Sequence, residues 1–68
     1  MKIQYFSDTN TALIDFSDAE IIETKELSEN IYIDIDVHGN PVSMTIEHAK
    51  QSGALSEVSY REVESRSA

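Results

Sequence analysis

Strict alternation of apolar and polar side chains over residues 31–37 is the feature that most constrains this chain. Ile31, Ile33, Ile35 and Val37 share one side of this segment, and Tyr32, Asp34 and Asp36 share the other. A period of two is typical of a β-strand with one buried face. A shift of one residue would bury both aspartates, so the pattern also fixes the register of the strand.

Similar alternation predicts four more strands, over residues 2–6, 11–16, 20–27 and 41–47. Short polar or Gly-containing segments separate them, and the strongest turn is His38-Gly39-Asn40-Pro41. The third strand is rich in charged residues, which predicts a position at the edge of the sheet. The fold class is therefore mainly β (α+β), an antiparallel meander of about five strands.

One face of this sheet collects most of the apolar side chains of the strands. They are Ile3, Tyr5, Ala12, Ile14, Phe16, Ile22, Ile31, Ile33, Ile35, Val42, Met44 and Ile46. A sheet with one such face must cover it. Two arrangements meet this need: the sheet curls over its own face, or two copies of the chain pack face to face.

The pattern changes from residue 48. Residues 47–52 predict a short helical turn that stops at Gly53. Ser59 and Glu62 have capping-box spacing, which favours a frayed helix over residues 56–65, and the competing interpretation is a sixth strand through Val58 and Tyr60. We therefore expect a β domain over residues 1–53, with a short terminal helical turn, and a polar tail over residues 54–68 that is partly helical or mobile.

Composition narrows the classes of function. The 68 residues include 13 Asp and Glu against five Lys and Arg, a formal net charge of −8. Nucleic acids and anionic membranes are disfavoured as partners, because both attract basic surfaces. We expect self-association, as a homo-oligomer, or a basic protein partner. The chain has no cysteine and no apolar run of a signal or membrane span, so a cytoplasmic location is the expectation.

Few residues carry recognisable chemistry. Asp34 and Asp36 point the same way from one strand, and with His38 they offer oxygen and nitrogen ligands to a divalent cation. The favoured alternative is that these charges, on the open face of a very apolar strand, prevent edge pairing and aggregation. His48 lies at the end of the last strand, where it is a candidate metal ligand or general base, or caps the local backbone. No Gly-x-Ser-x-Gly elbow or phosphate-binding loop is present, so no catalytic or cofactor-binding residue is assigned.

Four segments resemble a known family, the small bacterial and archaeal domain of unknown function 2283. They are residues 5–16, 23–27, 33–39 and 46–49, and the resemblance covers residues 1–50. The chain departs from the family pattern at Asn10, where Asp is usual, at Ala12, where a larger apolar residue is usual, and at Ser43, which replaces a frequent Gly. The resemblance implies a fold and no catalytic residue.

Two hypotheses of function follow. The first is a protein-interaction module; the resemblance implies an antitoxin-like form of it, because some members of that family are thought to be encoded beside small toxin-like proteins. The alternative is a divalent-metal-binding or small hydrolase-like site around His48, with Asp34 and Asp36. If neither hypothesis holds, the chain is a purely structural subunit whose outer face is simply solvated.

Overall fold

The structure is a computed structural model that describes residues 1–51 and 59–63. Its strands are β1 (Lys2–Phe6), β2 (Thr11–Asp15), β3 (Glu23–Ser28), β4 (Ile31–Ile35) and β5 (Pro41–Glu47). They form one antiparallel sheet, which confirms the predicted class and strand number. Within the described residues there is no helix that could span a membrane.

The sheet order is β1-β2-β5-β4-β3, and this differs in one respect from a strict sequential meander. Strands β3, β4 and β5 follow one another as hairpins, whereas β2 pairs with β5. Strand β5 thus lies between β2 and β4, and its residues Met44 and Ile46 are paired with apolar residues of both strands. The polar strand β3 lies at the edge of the sheet. Strands β2 to β5 form a Greek-key arrangement.

Residues 16–22 make the long connection of this Greek key along one end of the sheet. The backbone N–H groups of Phe16 and Ser17 both donate to the carbonyl of Val42, at 2.8 and 3.2 Å. At the other end of the connection, the N–H of Ile22 donates to the carbonyl of Ile35 at 2.9 Å. These bonds satisfy backbone groups in the connection that lack a strand partner.

Edge strand β3 is exposed along its whole length, as its charged sequence predicted. Its register with β4 shifts between Glu26 and Ser28, which is a β-bulge. The prediction that Ile22 belongs to the apolar face is not supported, because Ile22 precedes β3 and is 54% exposed. The β3 residues opposite Ile35 and Ile33 are instead Glu23 and Lys25.

Strand β4 ends two residues before the predicted position because Asp36 closes a turn. One Asp36 carboxylate oxygen, Oδ1, accepts hydrogen bonds from the backbone N–H groups of His38 and Asn40, both at 2.9 Å. Gly39 has a φ of 81°, a conformation that glycine adopts without a Cβ clash. Val37 therefore lies in the turn, where it is 71% exposed.

The C-terminal helix is unconfirmed. Strand β5 extends to Glu47, and His48 has a φ of 53°, which a right-handed helix does not allow. The described part of the predicted helical turn, residues 47–51, is strand followed by bend and turn. Residues 59–63 form neither helix nor strand, and the rest of both tail predictions, like the proposed boundary at residue 53, lies outside the described residues.

The core of the described chain is thin. Buried residues are Ala12, Val42, Ser43 and Ala49, and three of these four side chains are very small. No large side chain in the described part of the chain is fully buried. The sheet is one layer, and one layer alone encloses no interior.

Candidate functional site

The feature that distinguishes this sheet is an apolar face drawn from all strands except β3. Side chains that lie opposite each other in paired strands share a face, and one row across the sheet reads Ile3, Ile14, Met44 and Ile33, with the adjacent row Tyr5, Ala12, Ile46 and Ile31. We define the apolar face as these eight residues with Ile35 and Val42, which alternation places on the same side. The pairings confirm the sequence prediction for the eight paired residues.

Most of the apolar face is only half covered. Ala12 and Val42 are buried, Ile3 is 42% exposed, and the other members are intermediate. Two apolar side chains from the described part of the tail do not pack on it, since Tyr60 is 89% and Val63 70% exposed. The face is therefore a broad apolar surface that its own described chain leaves open.

The charged rim of the apolar face is mixed in sign. Glu23 and Lys25 of β3 continue its rows at one edge. At the opposite edge, Nζ of Lys50 lies 5.5 Å from the centroid of the Tyr5 ring, in cation–π geometry. Among the described residues that pair or stack at its edges, the rim thus carries one carboxylate and two ammonium groups, although the whole chain carries a net charge of −8.

The opposite face of the sheet is polar. One of its rows contains Gln4, Leu13, Thr45, Tyr32 and Glu26 in order across the strands. The carboxylate of Glu47, then that of Glu26, raises the pKa of the Tyr32 phenol above its ordinary 10.0, with smaller contributions from burial and Glu29. The stabilisation that protonated Tyr32 contributes is complete below pH 10.0 and is lost as the pH rises through the raised pKa.

Asp34 also lies on the polar face, and its carboxylate is already engaged by two neighbouring strands. Thr24 Oγ1 donates to one oxygen at 2.5 Å, and Ser43 Oγ donates to the other at 2.6 Å. Ser43 is only 4% exposed, so this bond satisfies a buried hydroxyl. The ladder from β3 through β4 to β5 gives Asp34 a structural role that the sequence analysis missed.

His48 lies at the end of the sheet where the turns after β1 and β3 also lie. Its Nδ1 is 3.2 Å from Oδ1 of Asn30, and the carbonyl of Asn30 accepts a bond from the N–H of Glu47 at 2.8 Å. The His48 ring thus contacts the Asn30 side chain, and the capping, metal-ligand and general-base interpretations of His48 all stay predictions.

Asn10 organises the same end of the sheet and was not singled out as a functional candidate. Its Oδ1 accepts hydrogen bonds from the Tyr5 hydroxyl at 2.8 Å and from the Lys50 N–H at 3.2 Å, while its Nδ2 donates to Gln51 Oε1. Its φ of 56° is a conformation in which Asn is enriched. The sequence feature that could have identified Asn10 is an Asn at the end of a polar turn.

The four metal-ligand candidates are not brought together. Asp34 belongs to the strand ladder, Asp36 closes the β4–β5 turn beside His38, and His48 contacts Asn30. No group of three His, Asp or Glu side chains in the described residues is placed to hold a metal ion. The metal hypothesis stays a prediction to be tested with cations.

An open cleft of about 260 Å³ lies at the end of the sheet where β1 begins. It is lined by Met1, Lys2, Asp15, Phe16, Ser17 and Asp18. Ligand sites usually enclose about 300–1,000 Å³ and bury most of the ligand. This cleft is smaller and open to solvent, so the apolar face is the stronger candidate for function.

Comparison with known families finds the same family that the segments of the sequence resemble. The family model described as protein of unknown function (DUF2283) matches residues 2–50. The chain belongs to this family. The matched segment contains all five strands and therefore the whole apolar face. No curated protein matches the chain, and no solved structure does.

Proposed function

We propose that this DUF2283 domain is a non-catalytic protein-interaction module whose binding surface is the apolar face. The observation that carries the proposal is a five-stranded sheet whose apolar face has no second layer in the described residues. Broad apolar surfaces of this kind mark sites of protein association.

The energetics of a small domain support the same conclusion. Complete burial of one Ile or Met side chain contributes about 1.5–3 kcal/mol. Six Ile and one Met lie on the apolar face, and each is incompletely buried. Small domains have a total stability of about 5–15 kcal/mol, so cover over even a few of these side chains is large on that scale.

Two classes of partner fit an acidic chain with such a face: a second copy, or a basic protein attracted by the charge of −8. The antitoxin-like role implied by the family resemblance is one form of the second class. In both classes the expected binding energy comes from the apolar face, while charge influences the association rate and the choice of partner.

Two neighbouring residues of β5 provide a matched test of this surface. Met44 lies on the apolar face, and Thr45 lies on the polar face. We expect Met44→Lys to lose binding to any protein partner, because a charge would be buried without a counter-ion. Thr45→Lys adds the same charge to the polar face and should retain binding.

The measurement is capture from native extract, together with capture of a differently tagged copy of the chain, for the wild type and both variants. Circular dichroism checks that each variant is folded. Ile3→Lys and Gln4→Lys on β1 repeat the comparison at the sheet edge, where a substitution disturbs the fold less. Equal capture by both members of each pair would place binding elsewhere and refute the proposal.

A further inference from the structure

We infer that the apolar face is covered by a second copy of this chain, packed face to face as the two layers of a β-sandwich. The inference rests on the proposed function and names its partner. Three observations favour a second copy over a basic protein or a single helix: the charge of the rim, the dimensions of the face, and the location of the acidic residues.

The rim of the apolar face does not suit a basic partner. Lys25 and Lys50 both lie beside this face, and Glu23 is the one rim carboxylate among the described residues that pair or stack at its edges. A basic protein docked here would meet two cations. A second copy carries the same rim, with both signs of charge. In a two-fold interface the rim of each copy faces the other copy, so that a carboxylate of one can lie near an ammonium group of the other.

The dimensions of the face match a second sheet. Strands lie about 4.8 Å apart and rise about 3.4 Å per residue, so five strands of five residues give a flat footprint of about 24 by 17 Å. A single helix, about 10–12 Å in diameter, covers at most about half of that width. A second copy has the same footprint and can cover the face completely, at the usual spacing of about 10 Å between packed sheets.

The acidic residues of the sheet lie mostly away from the apolar face. Asp15, Asp34, Glu26 and Glu47 lie opposite polar-face residues in the strand pairings, and the raised pKa of Tyr32 reports the negative potential on that side. In a face-to-face dimer these carboxylates point outward into solvent. Their long-range repulsion remains, so salt that screens it should strengthen the dimer.

Sedimentation equilibrium of the full chain between 1 and 200 µM tests the inference, in 0.05 and 0.5 M NaCl. We expect the wild type and Thr45→Lys to reach twice the monomer mass of 7.6 kDa, with dissociation constants that fall as salt increases. Met44→Lys should dissociate at least about 100-fold more readily, because each dimer buries two unpaired charges.

Ile3→Lys and Gln4→Lys, at the edge of the sheet, keep the inference testable if Met44→Lys does not fold. Ile3→Lys should weaken the dimer, whereas Gln4→Lys should not, with both variants showing the wild-type circular dichroism spectrum. A wild type that is folded and monomeric at 200 µM overturns the inference. So does a dimer that is equally weakened by substitutions on both faces.

The two experiments distinguish absence of the dimer from absence of any binding at the apolar face. If the chain is a monomer but Met44→Lys alone loses capture of another protein, the face is a binding surface with a different occupant. If the monomer is folded and neither capture experiment depends on the apolar face, both conclusions fail.

Discussion

His48 directly follows β5 and has a backbone φ of 53°, in the left-handed region that costs most residues about 1–2 kcal/mol. Its ring contacts Asn30, whose carbonyl also holds the last residue of the strand. The backbone conformation at this position redirects residues 49–51 toward Asn10, where the N–H of Ala49 donates to the Asn10 carbonyl at 3.0 Å. His48 thus has a role in the shape of the chain that does not require catalysis.

This role predicts an inverted preference between Ala and Gly at position 48. We expect His48→Gly to be more stable than His48→Ala by about 1 kcal/mol, because glycine adopts a positive φ without strain. At Glu47, which lies in extended β5, the order should be the usual one, with Ala more stable than Gly. Urea denaturation of the four variants at one protein concentration measures both differences.

A functional His48 would give another result. If His48→Gly keeps the fold but abolishes capture of the partner, or changes the response of the protein to divalent cations, the histidine ring itself has a function. An Ala variant more stable than the Gly variant would contradict the conformational argument.

At the scale of elements, the polar face is held together by side chains that bridge three strands. Thr24, Asp34 and Ser43 lie opposite each other in β3, β4 and β5, and their hydrogen bonds connect the edge strand to the centre of the sheet. Edge strand β3 has no apolar residue opposite Ile33 or Ile35, so these bonds replace apolar packing in attaching it. The bulge and charges of β3 also discourage pairing with other chains.

We predict that Asp34→Ala lowers the free energy of unfolding by about 1–3 kcal/mol, because the buried Ser43 hydroxyl loses its acceptor. Adding Ser43→Ala should recover part of the loss, since both partners are then removed. Asp18→Ala, at an exposed position outside the strands, is the control and should change little. Chemical denaturation measures all three, and equal effects of Asp34→Ala and Asp18→Ala would exclude a structural ladder.

The sequence predicted where the strands lie along the chain better than it predicted which strands pair. Alternation located the strands, and the apolar sides of β1, β2, β4 and β5 share a face as expected. Alternation gives no information on which strands pair, so the contact between β2 and β5 was not foreseen. Ile22 and Val37 were misplaced because the alternating pattern continues past the points where backbone hydrogen bonds end the strands.

The candidate surface followed from the sequence, whereas its polar contacts did not. A one-sided apolar sheet is a property of spacing, which the sequence displays directly. The positions of Asn10 and Ser43 depend on which segments meet across the fold, 41 residues apart in the bond from Asn10 to Gln51. Such contacts depend on which strands pair, and the alternation pattern of a single sequence does not reveal that pairing.

At the scale of the whole molecule, the proposed dimer links folding to association. The layer that each copy lacks is supplied by the other, so dissociation re-exposes the apolar face of both. A protein whose folded form is a dimer becomes more stable as its concentration rises.

Thermal unfolding should therefore depend on protein concentration. From an unfolding enthalpy of roughly 0.7 kcal/mol per residue, a tenfold increase in concentration should raise the midpoint by about 5 °C. Met44→Lys should show no such shift, and Thr45→Lys should behave as the wild type. Scanning calorimetry at 10, 100 and 500 µM measures the shift, and a constant midpoint for the wild type would contradict a folded dimer.

The pairing of β2 with β5 divides the chain into two locally closed units, a hairpin over residues 1–15 and a three-stranded unit over residues 23–47. They meet along one line of backbone hydrogen bonds and are joined by a connection whose residues 17–21 are exposed. Two separately synthesised peptides, divided within that connection, therefore each keep their own strand pairings, and only the pairing of β2 with β5 has to form between them. The first peptide contains β1 and β2 and the second contains β3, β4 and β5, and mixing the two should regenerate the intact sheet.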